Sequence, residues 1–307
     1  MYVRASFATM IAASVTGASG AVASDLPSSK PTAPAPVFAD AGWRFGAEGG
    51  AMFSHFSKDA LGYTTSPSTK LGTNVASPNG DVGAYGAISL GRSIDANWDW
   101  RVSGAYHYFG NNGQRVVKSD PPYVDDVRAG SRFQAGSVDL DVGRTWRNES
   151  GHLKLFAGLR GARIADVSSL ASTSDKDATR KLGSREEWSS HIYAVGPRIG
   201  VEGLYNIDAK GVFGLVGGAS ASALFGSRVA YKQSGDDTVK SSKSDHLYNL
   251  NGYLGLSMNA SKAAAFTIGY RAEQWRNARP ENYPDERSAR NRDVLAHIPF
   301  ARLDVKF

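Results

Sequence analysis

From Trp43 onward the chain repeats one pattern: apolar residues at every second position, polar or small residues between them, and breaks at clusters of Gly, Asn, Asp and Ser. Successive side chains of an extended strand point to opposite faces, so this period of two predicts strands with one apolar face. Trp43, Phe45, Ala47, Gly49, Ala51 and Phe53 share one face of the first segment, with Arg44, Glu48 and Ser54 on the other. Val82 to Leu90 follows, then Trp98, Trp100, Val102, Tyr106 and Tyr108 against Asp99, Arg101, Ser103 and His107. Val138, Leu140 and Val142 oppose Asp139 and Asp141, and Leu153 to Leu159 oppose Lys154 and Arg160. Further segments set Val195 to Tyr205 against Arg198 and Glu202, Phe213 to Phe225 against Ser220 and Ser222, and Tyr248 to Met258 against Asn249, Asn251 and Ser257. The last two set Phe266, Ile268, Tyr270 and Ala272 against Arg271 and Glu273, and Leu295 to Phe307 against Arg302, Asp304 and Lys306.

About ten strands result, the even number that single-chain bacterial barrels have. The connections alternate in length: gaps near 56–80, 110–131, 166–188, 229–247 and 277–293 are long and charged, and those near 92–97, 147–151, 206–211 and 259–263 are short. Long outer loops against short periplasmic turns is the rhythm of an outer-membrane barrel, and a soluble sandwich has no reason to keep it. Trp43, Trp98, Trp100, Trp146, Tyr205 and Phe213 gather at the short-turn ends, while Phe53, Tyr106, Tyr108, Tyr193 and Phe225 gather toward the long loops. Two aromatic girdles separated by aliphatic side chains are what a lipid-facing surface needs. The expected fold is therefore all-β, a transmembrane antiparallel up-and-down barrel over residues 41–307.

The N-terminus changes the picture by adding export. Arg4, an apolar and small-residue run from Ala5 to Val22, and Ala21-Val22-Ala23 make a signal peptide expected to span 1–23. Residues 24–40 hold Pro27, Pro31, Pro34 and Pro36 and are expected to form an extended periplasmic linker. Both termini are then expected in the periplasm of a Gram-negative bacterium. The mean hydropathy of −0.32 fits this fold, since a barrel strand gives lipid only alternate side chains. The absence of cysteine excludes disulfides, Cys-ligated zinc and thiol nucleophiles. The net charge of +6 does not come as a basic block, and no nucleic-acid recognition motif accompanies it, so nucleic acid is not an expected partner.

Several stretches together resemble the Legionella-type major outer membrane protein family, a group of pore-annotated barrels. They are LFAGLR from Leu155 to Arg160, VGPRIGVE from Val195 to Glu202, and GYRAEQW from Gly269 to Trp275, with Gly-Pro-Arg-x-Gly around Arg198 the most specific. The resemblance runs from about Ser131 to the C-terminus and implies an outer-membrane barrel. The lead-in from Asp25 is similar to exported regions of alphaproteobacterial outer-membrane proteins. Phe307, closing an alternating strand, resembles the assembly signal of such barrels and implies the barrel assembly machinery as a partner.

The polar face defines the candidate chemistry. Arg44, Glu48, Asp99, Arg101, Asp139, Asp141, Lys154, Arg160, Arg198, Glu202, Arg271, Glu273, Arg302, Asp304 and Lys306 are expected to line the lumen. Such a lining either tunes the passage of ions or small solutes or pairs off and plugs a narrow barrel. A barrel of about ten strands is nearer the filled size, which favours a closed or narrowly conducting lumen. Enzymatic activity is not expected, nor a cofactor or metal. Asp125-Asp126 and Asp236-Asp237, with His107 and His246, are the only protease-like candidates, and adjacent Asp pairs in polar loops are ordinarily solvated turns. A third class is surface adhesion or lipopolysaccharide binding through loop residues such as Arg276, Arg279, Arg287, Arg290 and Arg292, beside Glu281, Asp285 and Glu286.

Overall fold

A computed structural model of the chain describes residues 42–54, 81–120, 123–175, 181–234, 237–279 and 293–307. The expected signal peptide and linker lie outside the described residues, as do Asp236, Glu281, Asp285, Glu286, Arg287, Arg290 and Arg292. Ten strands run in chain order: β1 (Trp43–Ser54), β2 (Asp81–Ser93), β3 (Trp98–Asp120), β4 (Tyr123–Asn148), β5 (Gly151–Asp175), β6 (Lys181–Asn206), β7 (Phe213–Ser234), β8 (Asp237–Asn259), β9 (Ala264–Arg276) and β10 (Val294–Lys306). Each pairs antiparallel with its sequence neighbours, and β1 pairs with β10, so the sheet closes into an up-and-down barrel. No helix among the described residues is long and apolar enough to cross a membrane, which says nothing of crossing by strands.

The register sets the shape. From Gly49 the pairing runs through Gly86 and Tyr106 to Gly136 on β4. In the other direction it runs through Ala301, Ile268, Leu256, Leu215, Tyr205 and Gly151 to Asn148, also on β4 and 12 residues away. That stagger over ten strands tilts them by about 40° to the axis, the usual range for a closed barrel.

Strand lengths depart from expectation. About ten residues cross a membrane at this tilt, and β1, β2, β9 and β10 have 12 or 13. By contrast β3 to β8 have 22–26. The gaps at 110–131, 166–188 and 229–247, read from their charge as loops, are over their described residues continuations of strands. The β3–β4 ladder runs out to Asp120↔Tyr123, β5–β6 to Ser174↔Lys181 and β7–β8 to Ser234↔Asp237. Solvated strands need no apolar face, so their sequence loses the period-two signal while the backbone keeps its ladder. Above the level where β2 and β9 stop, these six strands form an open wall whose edges are β3 and β8. The β8 edge is dominated by Ser and Lys, including Lys240 and Lys243, and is exposed over Asp237–Ser244, a composition that discourages pairing with a further strand.

The short connections, 94–97, 149–150, 207–212 and 260–263, lie at the other end. In two of them an aspartate organises the turn. Asp95 Oδ1 accepts the backbone N–H of Asn97 (2.7 Å) and Trp98 (2.8 Å). Asp208 accepts those of Phe213 (2.7 Å) and Val212 (3.2 Å), and Gly211 closes the same turn at φ 65°, where a side chain is disfavoured. These backbone hydrogen bonds, to Asn97 and Trp98 for Asp95 and chiefly to Phe213 for Asp208, hold both carboxyls below their ordinary pKa. A lowered folded-state pKa means stabilisation that is complete above the unfolded carboxylate pKa and is lost as pH falls through the folded value. Asp208→Ala is therefore expected to lower the thermal midpoint of the folded barrel at neutral pH. The gap from wild type should close on acidification below the carboxylate range, as followed by thermal melts at several pH values.

Candidate functional site

Strand parity divides the side chains into an apolar exterior and a mixed interior. Tyr106, Tyr108, Phe53, Tyr193 and Phe225 face outward near the long hairpins, and Trp98, Trp146, Tyr205 and Phe213 face outward near the short turns. Trp43 and Trp100 belong to the latter group and meet edge to face at 5.7 Å. Outward arginines there lie over the indoles: Arg92 over Trp43 (5.5 Å) and Arg144 over Trp146 (5.3 Å) and Trp98 (6.0 Å). Cations resting on ring faces at one level suit a boundary between apolar and aqueous surroundings.

The interior residues named from the sequence, Arg44 to Lys306, all turn inward, and most enter a single network. Asp141, with no exposed surface, lies between Arg101 (3.3 Å) and Arg198. Arg101 continues to Glu202 at 2.8 Å, and Arg198 lies 3.5 Å from Asp139. Arg160 grips Asp139 through Nε (2.6 Å) and Nη2 (2.8 Å) and donates to Asn249. Asn249 and Asn251 both donate to Glu273 (2.9 and 3.0 Å), whose other neighbour is His107 Nε2 at 3.1 Å. Arg271 donates to Asn251 (2.8 Å) and holds Glu48 through Nε (3.0 Å) and Nη2 (3.1 Å). Lys154–Asp99 (2.6 Å) and Arg302–Asp304 (2.8 Å) flank it.

Aromatic rings support this network. Phe156 carries Arg198 at 4.7 Å and Arg101 at 5.3 Å, Trp275 carries Arg160 at 5.8 Å, and Arg271 is enclosed by Tyr253, Tyr85 and Phe300 at 5.1–5.6 Å. A guanidinium is weakly hydrated and planar, so it accepts a carboxylate at its edge and a ring on its face together.

Toward the long hairpins the interior becomes apolar, a feature the charged sequence positions did not suggest. Met52, Phe109, Phe133, Ile164, Ile192, Leu224, Leu247 and Ile298 pack into one buried cluster, with Phe109 and Phe133 5.2 Å apart. A signal exists in the sequence: in this half, apolar residues fall on both parities, as in Leu224-Phe225, Leu247-Tyr248 and Val294-Leu295.

Two further ion pairs occur near these hairpins. Arg228 donates to Asp245 (2.7 Å), Ser190 (3.1 Å) and the carbonyls of Asn277 and Ala278. Arg279, read as a surface-loop cation, is instead 2% exposed and donates to Asp166 at 3.1 Å. Asn277, at φ 59°, turns the chain after β9, and Ala278 and Arg279 are buried. Arg276 stays exposed. The protease-like candidates are distributed differently: His107 is inside the barrel, His246 is outward beside Tyr248, and Asp125 and Asp126 are ladder positions of the β3–β4 hairpin. No group of three or more His, Asp or Glu among the described residues is placed to hold a metal ion.

Removing the charge of Asp141 leaves two guanidiniums facing a neutral group at a fully buried position. Asp141→Asn is expected to cost about 3–5 kcal/mol. Asp304→Asn, at a half-exposed edge position, should cost at most about 1 kcal/mol. Urea unfolding of refolded barrels measures both.

The family model described as Legionella pneumophila major outer membrane protein precursor matches residues 41–306. No curated protein matches the sequence. Among solved structures, the outer membrane protease OmpT from Escherichia coli is similar at a TM-score of 0.50 and 14% identity, covering 87% of this chain and 95% of that one. Ail, the attachment invasion locus protein of Yersinia pestis, matches at 0.31 and 12%, covering 87% and 99%. Neisserial surface protein A matches at 0.26 and 13%, covering 88% and 99%. The OmpT likeness concerns the fold alone. With the closed ten-stranded barrel and a family match over nearly the whole described chain, the protein belongs to the Legionella major outer membrane protein family of outer-membrane β-barrels.

Proposed function

We propose that this protein is a closed-lumen barrel of the outer membrane, acting as a structural element and through its surface hairpins, and not as an open diffusion pore. The observation that carries this reading is the interior packing. A buried apolar cluster and a paired charge network occupy successive levels of the lumen. An ion crossing the apolar level would have to shed its hydration against Phe109, Phe133 and Leu247. The short turns face the periplasm in this reading, with both termini, and the long hairpins face outside.

The extension of β3 to β8 supports the surface role. Strands roughly twice as long as a membrane requires are not needed for anchoring. They raise a twisted wall of backbone-paired hairpins above the lipid, where lipopolysaccharide or a host surface is met first. The exposed basic residues Lys240, Lys243 and Arg276 are the charged groups such a partner would reach.

Reconstitution of the refolded protein in planar bilayers tests the closed lumen. Wild type is expected to give no regular unitary conductance steps, whereas a Phe109→Gly, Phe133→Gly double variant should leak. Porin-like steps from wild type would overturn the proposal.

A further inference from the structure

Between the side chains of the charge network and on toward the short turns, the lumen holds a cavity of about 390 Å³. Its walls reach the turn end of the barrel, where Ser261, Lys262 and Ala263 of the β8–β9 turn and Arg147 and His152 flanking the β4–β5 turn contribute to it. The charges around it do not balance. Five of its six carboxylates are matched by a cation, Glu48 by Arg271, Asp99 by Lys154, Asp139 by Arg160, Glu202 by Arg101 and Asp304 by Arg302, while Glu273 is held by Asn249, Asn251 and His107. Three cations near the opening, Arg44, Arg147 and Lys262, have no such match among the described residues. Arg44 donates to the Ser93 hydroxyl at 3.3 Å, and Arg147 donates to the Ala96 carbonyl. Lys262, also in the lining, makes no ion pair with a described carboxylate. Deeper in, the Nε–H groups of Arg101 and Arg198 are buried without an acceptor.

We propose that this vestibule binds a small free phosphate or phosphate monoester. Arg44 and Arg147 come from β1 and β4 and Lys262 from the β8–β9 turn, so positive charge enters the cavity from separate parts of its rim. Neutral partners leave the full charge of both guanidiniums available, and a planar fork suits two oxygens of a phosphate better than it suits chloride. Low-dielectric walls around an opening of one sign concentrate the field there. The site opens at the barrel end and not through its outward apolar face, which favours a soluble anion over a lipid headgroup. It is independent of the closed-lumen reading, because binding requires no passage through the apolar cluster.

The test is calorimetric titration of the full refolded barrel in neutral detergent with inorganic phosphate, at ionic strength held constant with chloride. Saturable binding at one site is expected. The Arg44→Gln, Arg147→Gln double variant should weaken it about tenfold or more, as loss of charge-assisted hydrogen bonds predicts. Lys262→Gln, on an exposed turn, should weaken it without affecting folding, and Lys240→Gln on the far hairpin should leave it unchanged. Heat-modifiable gel migration verifies that each variant is folded. Phosphatidylglycerol doped into the micelles should not compete. Heat that does not saturate, affinity unchanged in folded Arg44/Arg147 and Lys262 variants, or competition by the doped lipid would each overturn the proposal.

Discussion

Backbone N–H and C=O groups lose their water partners when strands enter an apolar slab, and the β1–β10 seam is where this chain meets that constraint. Each unpaired group there would cost several kcal/mol. The register from Arg44↔Lys306 to Ser54↔Ala296 removes both edges, and the N–H of Trp43 and the carbonyl of Phe307 extend it to the described termini. Closure with a stagger of 12 residues then fixes the tilt and the bore. The bore decides what the inward side chains are able to do.

A bore of this size brings inward side chains from opposite walls into contact, so polar ones must satisfy one another. Asp141 meets arginines from β3 and β6, and Glu273 on β9 meets His107 on β3. Isolated, either carboxylate would be costly to bury; within the network each has directional partners. The rings of Phe156, Tyr253 and Trp275 occupy faces of the guanidiniums that carboxylates cannot use. In the half nearer the long hairpins aliphatic and phenyl groups pack together, with the buried Arg228–Asp245 and Arg279–Asp166 pairs near the hairpins. Toward the turn end Arg44 and Arg147 rest on neutral partners, and these cations bring positive charge to the vestibule.

Much of this was legible because period two is a strict rule. Arg44 and Glu48 must face away from Phe45 and Ala47 wherever the sheet goes, and the same parity argument holds for Asp139, Asp141, Arg271 and Glu273. The extension of β3 to β8 was not legible, because solvated strands lose the apolar alternation that identifies them and so resemble charged loops. Arg279 illustrates the same difficulty in a single residue. Its segment follows a strand and carries charged residues, yet the turn at Asn277 takes it toward Asp166, 113 residues away in sequence. The buried apolar cluster left a fainter mark, apolar residues on both parities, which has meaning only once the strands are known to curve into a narrow tube.

By itself the sequence determined the strand count, the facing of the side chains within the alternating segments, the placement of the short turns and the outer-membrane family. These depend on local periodicity and on contacts with solvent or lipid, which any segment experiences regardless of its partners. Only the tertiary structure decided which arginine holds which carboxylate, that apolar side chains pack together in the half nearer the long hairpins, and that Arg44 and Arg147 rest on neutral partners at the turn end. Those outcomes arise from distances across the barrel, and such distances exist only after the first strand has found the last.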